Sequence, residues 1–224
     1  MLQALGRHCR RIGADRRGIG AVEFALVLPL LLLIALASVD VVVFMNDSHK
    51  LQLAASTMGE LVAGNDTGKI TQAGLDTVFQ SQLVIFPEVM QVAQDRKMWV
   101  WDTILSSISG VTFKASSGCA GTGTCTYTPY VAWTSGQGRP CGTPLTPASN
   151  SAAPSPATLP QDTFGAGFLI VVDVMFDYKP FFASSVIGNV RIKQSYYVAP
   201  RYVPSVAFDA SAGSSFAKAC TVPS

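Results

Sequence analysis

From Phe24 to Val39 the chain reads FALVLPLLLLIALASV, sixteen residues without a charge, and after Asp40 the apolar run resumes as VVVFM to Met45. As a helix at 1.5 Å per residue, the stretch from Phe24 to Met45 would be roughly 33 Å long, enough to cross a hydrocarbon core. The eleven Leu, Ile, Val and Phe residues before Asp40 favour insertion by about 3–7 kcal/mol in total. Asp40 opposes insertion but lies near the outer end of the run, where the cost of a charge falls. Pro29 would kink a helix in water; in a membrane, local adjustments and neighbouring helices tolerate it.

Past the apolar run the period changes. Leu51, Ala54, Ala55, Met58, Leu61 and Val62 recur at helical spacing, so the helix is expected to continue over 46–63 with one apolar stripe. That stripe can pack on the protein's own sheet or on a neighbouring subunit. Gly64-Asn65-Asp66 supplies turn chemistry to end it. A shorter helix follows, with Thr71 as its cap, a face of Leu75, Val78, Phe79 and Leu83, and Pro87 as its breaker. Val, Ile and aromatic enrichment predicts strands over 98–105, 110–115, 127–134, 168–178 and 190–198. Six prolines among Ser, Thr and Ala in residues 140–160 predict an exposed extended loop. There is no internal repeat.

Charge alters this picture at one place. Charged residues make up 13% of the chain and the net charge is +2. Arg7, Arg10, Arg11, Arg16 and Arg17 face only Asp15 in residues 1–17, whereas from Met45 onward 11 basic and 11 acidic residues cancel. The basic character belongs to the N-terminus alone. That argues against nucleic acid as a partner, which needs a basic surface on the folded domain. It suits a membrane protein whose basic end stays in the cytoplasm.

Of five cysteines, Cys9 precedes the apolar run, and Cys119, Cys125, Cys141 and Cys220 follow it. An even set on the exported side fits disulfides in an oxidising compartment. Cys119–Cys125 with Cys141–Cys220 is the favoured pairing, because the first two flank a short Gly-rich turn. Free thiols are the alternative. A zinc site is disfavoured, since the spacings lack a CxxC and no histidine lies nearby.

Three readings compete for the N-terminal segment: an uncleaved single-pass anchor, a secretory signal peptide cut after Ala35-Leu36-Ala37, and a prepilin-type leader. The stretch Arg16-Arg17-Gly18-Ile19-Gly20-Ala21-Val22-Glu23-Phe24 resembles the prepilin processing site. The resemblance implies cleavage by a prepilin peptidase after Gly18, which makes Ile19 the first residue and Glu23 the fifth. Glu23 would then be the assembly carboxylate that pairs with a neighbouring subunit's N-terminal amine; a carboxylate at the edge of a membrane helix is costly without a partner. More specifically, Gly18, Ala21, Val22, Glu23, Phe24, Ala25, Leu26 and Pro29 resemble the TadE/TadF group of tight-adherence (Flp) type IVb pilus proteins. The likeness is strong over residues 16–45, and LIVVDVMFDYKPFF at 169–182 resembles a late strand of that group.

The resemblance implies the general pilin plan, an α+β protein. Residues 1–18 would be a basic leader, 19–63 a long helix with a transmembrane segment at about 24–45, and 64–224 an exported head with an antiparallel sheet. It implies a minor pseudopilin in a bacterial inner membrane, crossing once, with its N-terminus cytoplasmic and its head periplasmic. Its partners would be the membrane, the prepilin peptidase, other pilins or pseudopilins and the pilus assembly platform. The alternative of a different class is a membrane-anchored surface adhesin with no pilus role.

Enzymatic chemistry finds little support. Only His8 and His49 could serve as imidazole acid/base groups, no phosphate loop or dinucleotide fingerprint occurs, and neither cofactor, metal nor catalytic residue is expected. Asp209-Ala-Ser211-Ala-Gly213 is similar to the Asp-x-Ser-x-Ser motif of von Willebrand A domains, but Gly213 replaces the second serine, and a polar C-terminal tail is expected. Asp173 and Asp177 should share one face of a strand; salt bridges or exposure suit them better than calcium, which takes six to eight oxygens. Trp99, Trp101 and Trp133 are expected to pack in the sheet; a carbohydrate platform is the competing reading.

Overall fold

In the computed structural model, described for residues 19–116, 125–211 and 216–223, the N-terminal pattern forms one 45-residue helix, α1 (Ile19–Ala63), which continues through Pro29. Two compact units contain it. One holds α1 through Phe44 together with Pro180–Gly188; the other holds Met45–Lys179 and the residues from Asn189 onward.

The second unit is the α+β head. After α1 come β1 (Lys69–Thr71), α2 (Gln72–Ile85), α3 (Glu88–Arg96), α4 (Val100–Thr103), β2 (Ile104–Ala115), β3 (Tyr127–Gly136), β4 (Thr146–Ala148), β5 (Thr158–Pro160) and β6 (Phe168–Tyr178). The short helix α5 (Ser184–Ile187) belongs to the first unit, and β7 (Val190–Val198), β8 (Ala207–Asp209) and β9 (Ala217–Ala219) complete the head. Five strands form an antiparallel sheet in the order β7-β6-β2-β3-β9. The small pairs β1–β8 and β4–β5 are parallel.

The apolar stripe of α1 is spent inside the head. Leu51, Ala54, Ala55, Met58 and Val62 are buried, and Gly59 lets the helix approach β7 so closely that a Cβ there would lie 2.6 Å from the Tyr196 ring. The Tyr196 hydroxyl donates to Glu60 at 2.7 Å, and Arg201 pairs with the same carboxylate. Glu60 as acceptor raises the Tyr196 pKa. Leu61 is exposed, against expectation. At 3.6 residues per turn it points about 80° away from Leu51 and the centre of the stripe. The helix ends at Ala63, whose carbonyl accepts from the Arg201 N–H at 3.0 Å.

Thr71 caps α2, its hydroxyl accepting from the Gly74 N–H at 3.3 Å. The buried face is Leu75, Val78, Phe79 and Gln82. Gln82 takes the place expected for Leu83 because it continues the i, i+3, i+4, i+7 series; its side-chain carbonyl accepts from the Ser106 hydroxyl. The two strands expected over 98–105 and 110–115 are one, β2, preceded by the helical turn α4. Ser106, Ser107 and Ser109 look like a break in the sequence, yet the hydroxyls of Ser106 and Ser109 find partners. Ser109 bonds Thr134 at 2.9 Å, and the backbone of Ile108 exchanges hydrogen bonds with the Ser135 hydroxyl.

A register shift between Gly110 and Val111 leaves Ala132 as the extra residue of a bulge on β3. Its carbonyl accepts from the Cys220 N–H at 2.8 Å. Trp133 lies buried across from Gly110, its indole N–H donating to the Val206 carbonyl at 2.6 Å. A Cβ on Gly110 would sit 2.3 Å from that indole nitrogen and 2.5 Å from the Phe168 ring. Gly110→Ala is therefore expected to lower stability by about 1–3 kcal/mol through overpacking, read as a lower urea midpoint of the full chain in detergent. An unchanged midpoint would mean that the two rings move aside freely.

The Pro-rich stretch is largely exposed, as its composition predicts, but two of its residues turn inward. Leu145 and Leu159 are buried with Val111, Val131 and Val171, so residues 140–160 cover one sheet face while α1 covers the other. Prolines prevent ladder hydrogen bonding but not side-chain packing. The C-terminal stretch is structure rather than a tail: Val206 and Ala217 are buried, β8 pairs with β1, and β9 is the fifth strand of the sheet.

Candidate membrane and assembly site

In its first unit α1 inverts the usual rule of burial. Val22, Phe24, Leu26, Leu30, Leu33 and Ile34 are among many large apolar side chains left exposed, whereas Asp40 is only 7% exposed. A helix apolar all round and uncovered is suited to lipid. Mean hydropathy reaches 2.8 in its most apolar window, consistent with a single-pass membrane anchor. Ser38 bonds back to the Ala35 carbonyl at 2.7 Å, so its hydroxyl is satisfied within the helix.

Asp40 owes its burial to the segment between β6 and β7. One carboxylate oxygen accepts from the Phe181 N–H at 2.7 Å. The other accepts from Phe182 at 3.0 Å and Ala183 at 2.9 Å. Successive backbone N–H groups turned toward one anion form a nest, which compensates a carboxylate where water is scarce. The sequence gives Asp40 only as an interruption; its partner lies 141 residues away, and no local pattern signals it.

Of the predicted processing residues, Gly18 lies outside the described residues. Ile19 opens α1, and Glu23 is exposed one turn further on. No contact joins Glu23 to the Asp40 nest: at 1.5 Å per residue the two positions are roughly 25 Å apart along the helix.

Residues 18–58 match the model of the TadE-like protein family. This TadE-like segment takes in Gly18, Glu23, Pro29 and Asp40 and ends within the buried stripe of α1. No curated protein and no solved structure matches the chain.

Beyond the TadE-like segment, the candidate groups of the head go mainly into structure. Cys141 is bonded to Cys220. Cys125 is also disulfide-bonded, and Cys119 lies outside the described residues. Asp173 and Asp177 do share a strand, but each meets an arginine. Arg139 grips Asp173 through Nε at 2.9 Å and Nη2 at 3.0 Å, and Arg191 grips Asp177 at 2.7 and 2.9 Å. The Arg191 hydrogen bonds hold the Asp177 carboxyl below its usual range. Among the described residues no three His, Cys, Asp or Glu side chains converge on one point.

Asp209 accepts from the Ser211 N–H at 2.9 Å, a local turn, and Gly213 lies outside the described residues. His49 is exposed on α1, and His8 also lies outside them. The three tryptophans form no common platform: Trp133 is core, while Trp99 and Trp101 line an open cleft of about 640 Å3 with Asp76, Gln80 and Asp102.

Proposed function

We propose that this protein is an assembly subunit of a tight-adherence type IVb pilus, a minor pseudopilin cut after Gly18 by a prepilin peptidase. The observation that carries the reading is the TadE-like match over residues 18–58, which falls on an uncovered apolar helix opening at Ile19. In this reading the basic leader stays in the cytoplasm, the helix crosses the inner membrane once, and the head folds in the periplasm, where its disulfide can form. Glu23 supplies the carboxylate that recognises a neighbouring subunit's new N-terminal amine. The bare apolar surface of residues 19–44 is the part of the helix open to association with other pilins or with the assembly platform, since the later stripe is filled by the head. The peptidase acts on this chain; the chain catalyses nothing.

The test is mass spectrometry of the protein from the membranes of its own cells. A mature chain beginning at Ile19 is the expected result. A start at Met1 would leave a plain anchor, and a start at Ser38 would mean a cleaved signal peptide; either sinks the proposal. Gly18→Phe should abolish processing, and Glu23→Ala should leave processing intact while pilus assembly fails. If both variants make normal pili, the pseudopilin reading is wrong. A surface adhesin is the second reading, favoured only by the Trp99–Trp101 cleft. It predicts that the chain binds surface glycans, and that Trp99→Ala abolishes this while leaving piliation unchanged.

A further inference from the structure

The segment Pro180–Gly188, nine residues between β6 and β7, contains no charged residue. Phe181 is 82% exposed, Val186 86% and Ile187 64%, and Phe182 is exposed beside them. A water-facing loop seldom displays four large apolar side chains together. Most of its backbone N–H groups have partners within the same unit. The N–H groups of Phe181, Phe182 and Ala183 go to Asp40. Those of Val186 and Ile187 go to the Ala183 carbonyl at 3.0 and 2.9 Å, and that of Gly188 goes to Ser184 at 3.1 Å. Pro180 has none to place. Irregular backbone can enter a layer poor in water only when its polar groups are satisfied in this way.

Depth agrees. Asp40 lies roughly 25 Å along the helix axis from Glu23, against a hydrocarbon core of about 30 Å. With Glu23 at the inner boundary, the nest falls just beneath the outer one.

We propose that Pro180–Gly188 is a second membrane contact, an interfacial loop held on α1 by Asp40, with Phe181, Phe182, Val186 and Ile187 inserted at the boundary between lipid headgroups and acyl chains. The occupant of this apolar surface is lipid because the surface is continuous with the bare helix and carries no charged group to specify a protein partner, only the small hydroxyls of Ser184 and Ser185. Asp40 and the loop solve one another's problem: the loop supplies the donors a membrane aspartate lacks, and the aspartate supplies the acceptor the loop backbone needs. The inference requires that α1 span a bilayer; it does not require a pilus.

The test uses the full chain in nanodiscs of phosphatidylcholine and phosphatidylglycerol, with lipids brominated either near the headgroup or deep in the acyl chain. A tryptophan introduced by Phe182→Trp is compared with the parent, whose own tryptophans all lie in the head. Its emission should be blue-shifted and quenched chiefly by the shallow bromines, and adding Asp40→Ala should return it to the emission of a water-exposed indole. Leu32→Trp is the control and should be quenched by the deep bromines in every background. If Leu32→Trp is quenched while Phe182→Trp is not, α1 spans the bilayer and the loop proposal fails. If Phe182→Trp is shielded only after pilus proteins are co-reconstituted, the surface belongs to a protein partner and the lipid assignment is overturned. Unchanged shallow quenching with Asp40→Ala would overturn the role given to Asp40.

Discussion

Replacing Cys141 and Cys220 together by serine is expected to lower the unfolding free energy of the head by about 4 kcal/mol. The bond closes a loop of 79 residues. A cross-link over so many residues removes much of the freedom of the unfolded chain, and the effect grows with the logarithm of loop length. The native side of the balance points the same way. Cys220 follows β9, an edge strand of three residues that could not hold its place by its own ladder, and its N–H closes the bulge at Ala132. At the other end, Cys141 stands two residues after Arg139, at the start of the Pro-rich stretch that covers one sheet face. The bond therefore pins two segments with little regular structure to each other beside one core cluster, which Cys220 itself borders. Urea unfolding of the full chain in detergent, followed by tryptophan emission, measures the effect. Wild-type protein under reducing conditions should fall at least as far as the double variant, because Cys125 is disulfide-bonded too. An unchanged midpoint in the double variant would mean that β9 and the Pro-rich cover are held by packing alone.

What the sequence makes legible here depends on how local the cause is. The long helix is written in a continuous apolar run and then a 3.6-residue stripe, so both of its parts can be read directly. The Thr71 cap and the Val-rich strands β6 and β7 are local in the same sense. Ser106 and Ser109 mislead because their tolerance inside β2 depends on distant hydrogen-bond partners, Gln82 on α2 and Thr134 across the sheet. In the Pro-rich stretch composition correctly reports an exposed chain, whereas the inward packing of Leu145 and Leu159 depends on the sheet beneath and is not legible. The TadE-like segment over residues 18–58 is local and legible. The nest at Asp40 is not, since its donors are backbone groups of a distant segment that leave no mark in residue type.

Arg139 belongs to the same illegible class and carries the second large effect. Its side chain is 0% exposed, which is rare for an arginine, and it lies in a stretch whose composition suggests a solvated loop. It forms two parallel hydrogen bonds with Asp173 on β6 and donates a third to the Thr158 carbonyl on β5 at 2.6 Å. The Ser195 hydroxyl on β7 adds a further donor to Asp173. One guanidinium thus ties the Pro-rich cover to two neighbouring strands of the sheet. Removing one partner of a buried pair strands the other charge, so Arg139→Ala or Asp173→Ala should each cost about 3–5 kcal/mol. Asp173→Ala should be the worse of the two. It leaves a wholly buried cation, whereas the Asp173 carboxylate retains Ser195 and some contact with water, its side chain being 15% exposed. Replacing both by apolar residues of similar size, Arg139→Met with Asp173→Leu, should recover most of the loss, because a buried ion pair gains little net stability over good apolar packing. Urea midpoints of wild type, Arg139→Met, Asp173→Leu and the double variant form a double-mutant cycle. Strict additivity of the two single losses would show that the pair is not coupled, and that Arg139 holds the Pro-rich cover through Thr158 alone.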